Sequence, residues 1–221
     1  MNEKKKRAIL IGAGELNKRQ ADEVKNCMTD NDSIIALDGG LAFCAEYGIV
    51  PDRIVGDFDS LSVDKQELLG KYPQEMVYRL PCEKDDTDTL AALRMAVEMG
   101  YEKFLIYGGL GGRLSHTMAN IQSLLFLKEK GLHGELVGDE SRIFLLRDES
   151  VVLPGNEEGY VSVFSFSEHA EGVTLKNLKY EIEDAELTNS FPLGVSNEFV
   201  GKETEISVKK GVLLVVVERI K

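Results

Sequence analysis

The chain has 221 residues, of which 43% are hydrophobic and 29% are charged, a composition typical of globular proteins. Its formal net charge of −12 argues against a broad nucleic-acid-binding surface, because such a surface needs clustered Lys and Arg. No apolar run reaches the roughly 18 residues that a membrane span requires, and the three cysteines are scattered. We therefore expect a cytoplasmic protein with no nucleic-acid and no membrane partner.

The first 130 residues alternate short β-branched segments with helical patterns. Strands are predicted at 8–11, 33–37, 53–55, 76–80 and 103–107, and helices at 15–28, 41–47, 63–69, 88–99 and 113–130. In segment 88–99 the apolar residues recur at helical spacing, and Gly100 follows as a stop signal. This alternation predicts an α/β N-terminal domain with a mostly parallel sheet.

The pattern changes after Gly131. Strands are predicted at 135–137, 142–146, 151–153, 160–166, 172–175 and 211–218, separated by Gly, Pro, Asn and Asp. No strong amphipathic helix is predicted there. We therefore expect an all-β C-terminal domain and assign the two domains to residues 1–135 and 136–221.

Four predicted strands of the first half run directly into clusters of Gly or Asp. The clusters occupy 12–14, 38–40, 56–60 and 108–113. In open parallel sheets, ligands bind at the carboxyl ends of the strands. We expect the four clusters to meet in one crevice.

Two acidic segments are candidates for metal binding. In extended backbone the Asp57 and Asp59 side chains point the same way, so both can face one metal while Phe58 turns into the core. The alternative is a turn with two solvated aspartates. Asp85 and Asp88 lie at the start of the predicted helix 88–99, and the alternative there is helix capping. Hard oxygen ligands from two acidic loops suit Mg²⁺, and a metal of this kind lets an acidic site bind a triphosphate.

The glycine-dense segment 108–113 ends in arginine at a predicted helix start, where backbone N–H groups and a guanidinium favour phosphate. It is not a Walker A loop, because the Gly-Lys-Ser/Thr ending is missing. His116 follows on the helix, and the alternative is that it is only a polar surface residue.

In order along nearly the whole chain, these blocks resemble the bacterial thiamine pyrophosphokinase family. The matching segments are Asp-Gly-Gly at 38–40, Pro-Asp at 51–52, Gly-Asp-Phe-Asp-Ser-Leu at 56–61, Lys-Asp-Asp-Thr-Asp-Thr at 84–89, the stretch 109–120, the stretch 172–180 and Val-Ser-Asn-Glu-Phe at 195–199. Five or more blocks in register make the resemblance specific.

The resemblance implies an α/β catalytic domain that binds nucleotide and metal, a β-sandwich domain that binds thiamine, and a homodimer with active sites between subunits. It implies pyrophosphoryl transfer from ATP to thiamine with Mg²⁺, giving thiamine diphosphate and AMP. The implied catalytic residues are Asp57, Asp59, Asp85, Asp88 and Arg113, with Asp57, Asp59 and Asp88 as metal ligands. The implied ATP-binding residues are Asp38, Gly39, Gly109, Gly112, Arg113, Ser115, His116 and Asn120, and the implied thiamine-binding residues are Tyr180, Ser196 and Asn197.

One position departs from the family pattern. The family loop usually reads Gly-Arg-x-Asp-His, whereas this chain has Ser115 in place of the aspartate. A lost carboxylate bears on rate and metal affinity. Two alternatives stay open at this point: another Mg²⁺-dependent phosphoryl-transfer enzyme, and a non-catalytic sensor of thiamine or nucleotide. The blocks around Tyr180 and Asn197 disfavour the first of these.

Overall fold

A computed structural model describes residues 6–58, 63–81 and 86–219, with the backbone alone for 63–65. Of the predicted site residues, Asp59 and Asp85 lie outside these ranges. The chain divides into two compact units, 1–139 and 140–221. No helix in the described part of the chain is long and apolar enough to span a membrane.

The first unit is an α/β unit built on a parallel sheet. Its strands are β1 (Arg7–Ile11), β2 (Asp32–Leu37), β3 (Arg53–Gly56), β4 (Val77–Arg79), β5 (Lys103–Tyr107) and β6 (His133–Val137). Its helices are α1 (Lys18–Cys27), α2 (Gly40–Tyr47), α3 (Val63–Leu69), α4 (Asp88–Glu98) and α5 (Leu114–Glu129), and a 3₁₀ turn covers Gln74–Met76. The strand order is β6-β5-β1-β2-β3-β4, with every pairing parallel. The predicted fold of this half is confirmed.

The strand at the end of this unit corrects the sequence interpretation. Segment 135–137 was grouped with the all-β half, but β6 pairs in parallel with β5, with Leu136 opposite Ile106. The prediction that this strand belongs to the all-β half is therefore wrong. The predicted boundary at residue 135 falls inside β6, and the two compact units divide after Asp139.

Burial on both faces explains why the central strands are continuously apolar. In β1 the successive residues Ile9 and Leu10 are both fully buried, although their side chains point to opposite faces. Ile9 packs with Ala21 and Val24 of α1. A parallel sheet covered on both faces gives this pattern, rather than the alternation of a half-exposed strand.

Local capping sets where the first helix begins. The Asn17 side chain accepts from the Gln20 backbone N–H, and the Gln20 side chain accepts from the Asn17 backbone N–H. This reciprocal pair satisfies two N–H groups that the helix leaves without partners. Helix α1 therefore begins at Lys18, three residues later than the predicted start at 15.

The second unit is a sandwich of two antiparallel sheets. Its strands are β7 (Ser141–Arg147), β8 (Ser150–Leu153), β9 (Tyr160–Ser165), β10 (His169–Lys176), β11 (Ile182–Thr188), β12 (Gly194–Glu198), β13 (Thr204–Ser207) and β14 (Val212–Glu218). One sheet has the order β12-β9-β14-β7 and the other β11-β10-β13-β8. Buried residues of both sheets form one core, such as Val163 and Val215 against Val173 and Ile206. The predicted all-β fold is confirmed.

Three strands of this unit were missed from the sequence, namely β11, β12 and β13. Most residues of β11 and β12 are exposed or half-buried, because both strands lie at sheet edges. Strand β13 has only four residues. Short or edge strands carry little of the apolar alternation on which strand prediction depends.

Candidate active site

The site lies where the strand order of the parallel sheet reverses. From β1 the chain builds outward through β2, β3 and β4, and then returns to place β5 on the other side of β1. The connection from β1 leads to β2 on one side and the connection from β5 leads to β6 on the other, and the carboxyl ends at such a reversal are the usual ligand position in these sheets. Tyr107 ends β5, and its buried hydroxyl donates to Glu23 of α1 at 3.2 Å. Burial, with a smaller contribution from Glu23, raises the pKa of Tyr107, so it stays a neutral donor.

Glycines allow these two loops to approach closely. The Gly12 N–H donates to the Tyr107 carbonyl at 2.8 Å, and the Gly14 N–H donates to the Gly108 carbonyl at 3.0 Å. Gly108 has φ of +68°, and a Cβ there would lie 2.7 Å from the Gly12 carbonyl oxygen. Any side chain at Gly108 would therefore separate the two loops.

A cavity of about 630 Å³ opens at this position, a volume within the range of small-molecule sites. It is lined by Gly12, Ala13, Gly14, Leu37, Asp38, Asp57, Asp86, Thr87, Asp88, Thr89, Gly108, Gly109, Gly111, Gly112, Arg113, His116 and Asn120. The structure thus brings residues of all four predicted clusters to one cavity, and the segment before α4 joins them. Gly39 and Ser115 are not among the described residues that line it.

Asp38 stands at the carboxyl end of β2 in an unusual backbone conformation. Its φ is +29°, its N–H donates to the Val55 carbonyl at 2.9 Å, and its Oδ1 is buried. A non-glycine residue with positive φ costs conformational energy, and such residues concentrate at functional sites.

The segment that follows β3 is not extended as the sequence interpretation required. Phe58 has φ of +58°, which is the left-handed region, so the argument from extended backbone at 57–59 is wrong. The Phe58 ring does turn into the core as expected, where it is 7% exposed. The guanidinium of Arg79 lies 5.4 Å from its ring centroid. Asp57 is half-buried and lines the cavity.

Thr87, rather than an aspartate, caps α4. Its Oγ1 accepts from the Leu90 N–H at 3.2 Å, and its carbonyl accepts from the Ala91 N–H at 2.9 Å. Asp88 is the first residue of α4 and lines the cavity. Asp86 also lines it and accepts from Arg94 at 2.5 Å. The capping side chain is thus Thr87, and Asp88 adds negative charge to the first turn of α4, as the capping alternative expects, while it also lines the cavity.

The glycine loop leads into the long helix α5. Arg113 occupies the N-cap position with extended backbone, and its side chain makes no capping hydrogen bond. Its Nη2 contacts Nε2 of His116, and both side chains are exposed and line the cavity. His116 is therefore on the helix surface and at the site. Asn120 is buried, and its Nδ2 donates to the Gly109 carbonyl at 2.7 Å, which fastens the loop to the helix.

The predicted thiamine residues lie together in the second unit. Tyr180 is 62% exposed, whereas Asn197 on β12 is 4% exposed and its amide bonds the backbone of Tyr180. Ser196 has φ of +55°, and its N–H donates to the Ser162 hydroxyl. The Lys179 ammonium lies 5.6 Å from the Tyr180 ring centroid and pairs with Glu198 at 2.6 Å. That hydrogen bond raises the pKa of Lys179, which stays charged.

The donor chemistry of the cavity suits a hard divalent cation. Carboxylates of Asp38, Asp57 and Asp88 line it, and oxygen donors are the ligands that Mg²⁺ prefers. Within 6–58, 63–81 and 86–219, no three His, Cys, Asp or Glu side chains cluster closely enough to hold a metal by themselves. Mg²⁺ usually binds through one or two carboxylates together with substrate phosphates, so the residues present fit it.

Comparison with known proteins identifies the family. The model of the thiamin pyrophosphokinase catalytic domain matches residues 24–134, and the model of the vitamin B1 binding domain of thiamin pyrophosphokinase matches 149–213. The chain belongs to the thiamine pyrophosphokinase family. A thiamine pyrophosphokinase of Bacillus subtilis is 30% identical over 184 residues, which cover 82% of this chain and 85% of that protein.

Solved structures agree with this thiamine pyrophosphokinase assignment. The crystal structure of a thiamin pyrophosphokinase from Geobacillus thermodenitrificans matches with a TM-score of 0.84 at 25% sequence identity. The match covers 97% of this chain and 98% of that chain. The crystal structure of a thiamine pyrophosphokinase from Bacillus subtilis matches with a TM-score of 0.84 at 24% sequence identity. The match covers 98% of this chain and 100% of that chain, and it supports the fold. The expected family, fold class and activity are confirmed: the chain is an enzyme that carries out ATP-dependent pyrophosphorylation of thiamine.

Several cavity residues were not singled out as site residues from the sequence, among them Asp86, Thr87 and Thr89. Thr87 and Thr89 line the cavity on either side of Asp88. The two threonines lie in the segment 84–89 that resembles the thiamine pyrophosphokinase family, but a threonine at such a position is equally well explained as a helix cap. Only the position of α4 beside the glycine loop distinguishes the two roles.

Proposed function

We propose that the cavity of the first unit binds ATP with Mg²⁺, and that the thiamine hydroxyl attacks the β-phosphorus in line while AMP leaves. The observation that carries this proposal is that metal-binding carboxylates and phosphate-binding groups line the same cavity. Asp38, Asp57 and Asp88 supply carboxylates, and the loop that ends at Arg113 supplies N–H groups and a guanidinium. Such an arrangement suits a metal–triphosphate, because positioning and charge neutralisation provide most of the acceleration in phosphoryl transfer.

The glycine loop and the start of α5 form the phosphate side of this proposal. Helix α5 has 16 residues, so its first N–H groups carry the partial positive charge of a long helix. Gly111 and Gly112 have φ of +82° and +63°, which only glycine adopts readily, so the loop carries no side chain of its own at either position. Arg113 would bind phosphate oxygens, with His116 in contact with its guanidinium.

Asp57 and Asp88 form the metal side together with Asp59, and Asp85 is a further catalytic acid; Asp59 and Asp85 lie outside the described residues. When bound, Mg²⁺ neutralises negative charge on the ATP phosphates. Asp38 lies at the same edge of the sheet and adds negative charge there. Asp88 and His116 line the cavity and are candidates to accept a proton from the thiamine hydroxyl, and Asp59 is a further candidate from the sequence.

Thiamine binding is assigned to the second unit. An exposed aromatic face such as that of Tyr180 attracts a cationic thiazolium. Ser196, in its left-handed conformation on the exposed strand β12, is the second candidate. Asn197 is buried, and its amide is already bonded to backbone groups, so we assign it to holding Tyr180 rather than to direct contact with thiamine.

We further propose a cytoplasmic homodimer in which each site takes its ATP residues from one chain and its thiamine residues from the partner. Strand β12 lies at a sheet edge, and exposed apolar side chains accompany it: Phe191 is 65%, Leu193 is 54% and Val195 is 46% exposed. An edge strand flanked by apolar residues is a ready surface for a second chain. Free thiols at Cys27 and Cys44 support the cytoplasmic location.

Product identity tests the proposed attack on the β-phosphorus. Thiamine, ATP and Mg²⁺ are incubated with the enzyme, and the phosphorus-containing products are followed by ³¹P NMR. Equal amounts of thiamine diphosphate and AMP are expected, with no ATP loss when thiamine is omitted. Formation of ADP and thiamine monophosphate would refute attack at the β-phosphorus.

A further inference from the structure

Arg94 of α4 connects the acidic segment before its own helix to the neighbouring helix. Its Nη1 donates to Oδ2 of Asp86 at 2.5 Å. Its guanidinium lies 5.8 Å from the ring centroid of Phe126 on α5. Asp86 lines the cavity, and the helix that carries Phe126 begins at the cavity after Arg113. One cation thus contacts both structures that flank the site.

The geometry of this ion pair constrains the segment before α4. Asp88 begins the helix, and Arg94 lies six residues further, which is about 9 Å along the helix axis. Side chains on a helix lean toward its N-terminus, so Arg94 extends toward the start of α4 and its guanidinium meets the carboxylate of Asp86, two residues before the helix begins. The Thr87 cap fixes the last residue before the helix, and the Arg94 contact fixes the residue before that.

We propose that Arg94 is a positioning residue for pyrophosphoryl transfer, which holds the segment 86–88 so that Asp88 faces the cavity. Asp86 and Asp88 both line the cavity, but the carboxylate of Asp86 is engaged by Arg94. Asp86 therefore serves as the anchor of this segment, and holding it keeps Asp88 at the cavity, toward the metal–nucleotide. The assignment of Asp88 rests on the proposed function.

The solvent exposure of the Arg94–Asp86 ion pair indicates that it positions the segment and contributes little to the overall stability of the fold. The Arg94 side chain is 51% exposed and that of Asp86 is 25% exposed. Ion pairs with this exposure contribute little to the free energy of unfolding, because solvent screens them. Removal of the pair should leave the fold intact and change the order of the segment before α4.

The test uses Arg94→Gln, Asp86→Ala, the double variant, and Arg94→Lys, which keeps the charge. Amide hydrogen exchange of the ligand-free protein reports the order of α4 at Leu90 and Ala91, whose N–H groups bond Thr87. Steady-state kinetics give kcat, KM for ATP and the Mg²⁺ concentration for half-maximal rate. Arg19→Gln is the matched control, because it breaks an exposed ion pair to Asp139 in the same unit, at 2.7 Å and away from the cavity.

Arg94→Gln and Asp86→Ala should each speed amide exchange at Leu90 and Ala91 about 5-fold, because each variant removes the ion pair that anchors the segment. For the same reason, each should raise the Mg²⁺ concentration needed for half-maximal rate about 5-fold. The double variant should equal the single ones, because both remove one interaction. Arg94→Lys and Arg19→Gln should stay within about 2-fold of the unchanged protein.

Three results would overturn the proposal: unchanged exchange and Mg²⁺ dependence in Arg94→Gln, effects of the two single variants that multiply in the double variant, or a loss in Asp86→Ala more than about 10-fold larger than in Arg94→Gln. The last result would make Asp86 itself a ligand. Hydrogen exchange does not depend on turnover. A failure of the proposed reaction, seen as wrong products from the unchanged enzyme, is therefore distinguishable from a failure of the anchor.

Discussion

The side-chain amide of Asn197 bonds both backbone polar groups of Tyr180. Its Nδ2 donates to the Tyr180 carbonyl at 2.6 Å, and its Oδ1 accepts from the Tyr180 N–H at 2.9 Å. The same Oδ1 accepts from the Glu198 N–H at 3.0 Å. A buried amide engaged in this way fixes the backbone that carries an exposed aromatic ring.

Asn197→Ala should raise KM for thiamine about 10-fold while kcat changes much less, because Tyr180 loses its fixed orientation and not its ring. Initial rates at varied thiamine concentration measure this split. Asn189→Ala, an exposed asparagine in the same unit, is the control. An unchanged KM in Asn197→Ala would contradict the role of Tyr180 in binding thiamine.

Asp88→Asn and Asp57→Asn should each lower turnover at least about 100-fold, which corresponds to about 2.7 kcal/mol of barrier. Asparagine keeps the shape of the side chain but removes the charge directed at the metal–nucleotide. Asp22→Asn, on the exposed surface of α1, serves as the control. The thermal midpoint should hardly change. If either cavity variant kept near-normal activity at limiting Mg²⁺, that carboxylate would be a surface group without a role in metal binding.

Ser115→Asp should give equal or higher activity with less Mg²⁺ at half-maximal rate, because it restores the usual family residue. The structure adds an effect on stability: Ser115 is exposed in the first turn of α5, which contains no acidic residue. A carboxylate there stabilises the helix by about 0.3–1 kcal/mol through the helix dipole. Mg²⁺ titration and thermal unfolding measure the two effects. A large loss of activity would indicate a site adapted to serine.

Asp32→Asn should lower the free energy of unfolding at neutral pH by about 1–3 kcal/mol. Asp32 accepts from Arg7 at 3.0 and 2.5 Å. Burial alone would raise the pKa of Asp32, but the bonds from Arg7 and Thr29 outweigh it and lower the pKa.

A lowered pKa in the folded state stabilises the protein above the unfolded pKa of about 3.9. That contribution is lost as the pH falls through the folded value. Urea unfolding at pH 7 and at strongly acidic pH should therefore show a difference between wild type and Asp32→Asn that shrinks in acid. A difference independent of pH would exclude an ionised Asp32 as its source.

Mixed dimers test whether two chains share each site. Asp57→Ala damages only the ATP residues, and Tyr180→Ala with Asn197→Ala damages only the thiamine residues. After co-refolding in equal amounts, about half of the dimers are mixed, and each holds one intact site, so activity should reach roughly a quarter of wild type. Native mass spectrometry counts the mixed dimers. Mixed dimers without recovered activity would show that each site lies within one chain.

The sequence alone was sufficient for the order of elements in the first unit and for the clusters that line its cavity. Five strands and five helices of 1–130 were placed to within a few residues, because apolar periodicity and glycine stops are local properties. The clusters at 12–14, 38–40 and 108–113 were recognised for the same reason, since each directly follows a buried strand.

Only the tertiary structure decided which distant residues meet. Strand β6 belongs to the parallel sheet because of its pairing with β5, and its own sequence does not reveal that partner. Phe58 adopts a left-handed backbone that no local pattern predicts, with its ring held in the core. Asn197 bonds Tyr180 across 17 residues, and Arg94 bonds Asp86 across eight. These contacts depend on strand pairing and helix packing, which sum over the whole unit, whereas the periodicity of a segment depends only on its own residues.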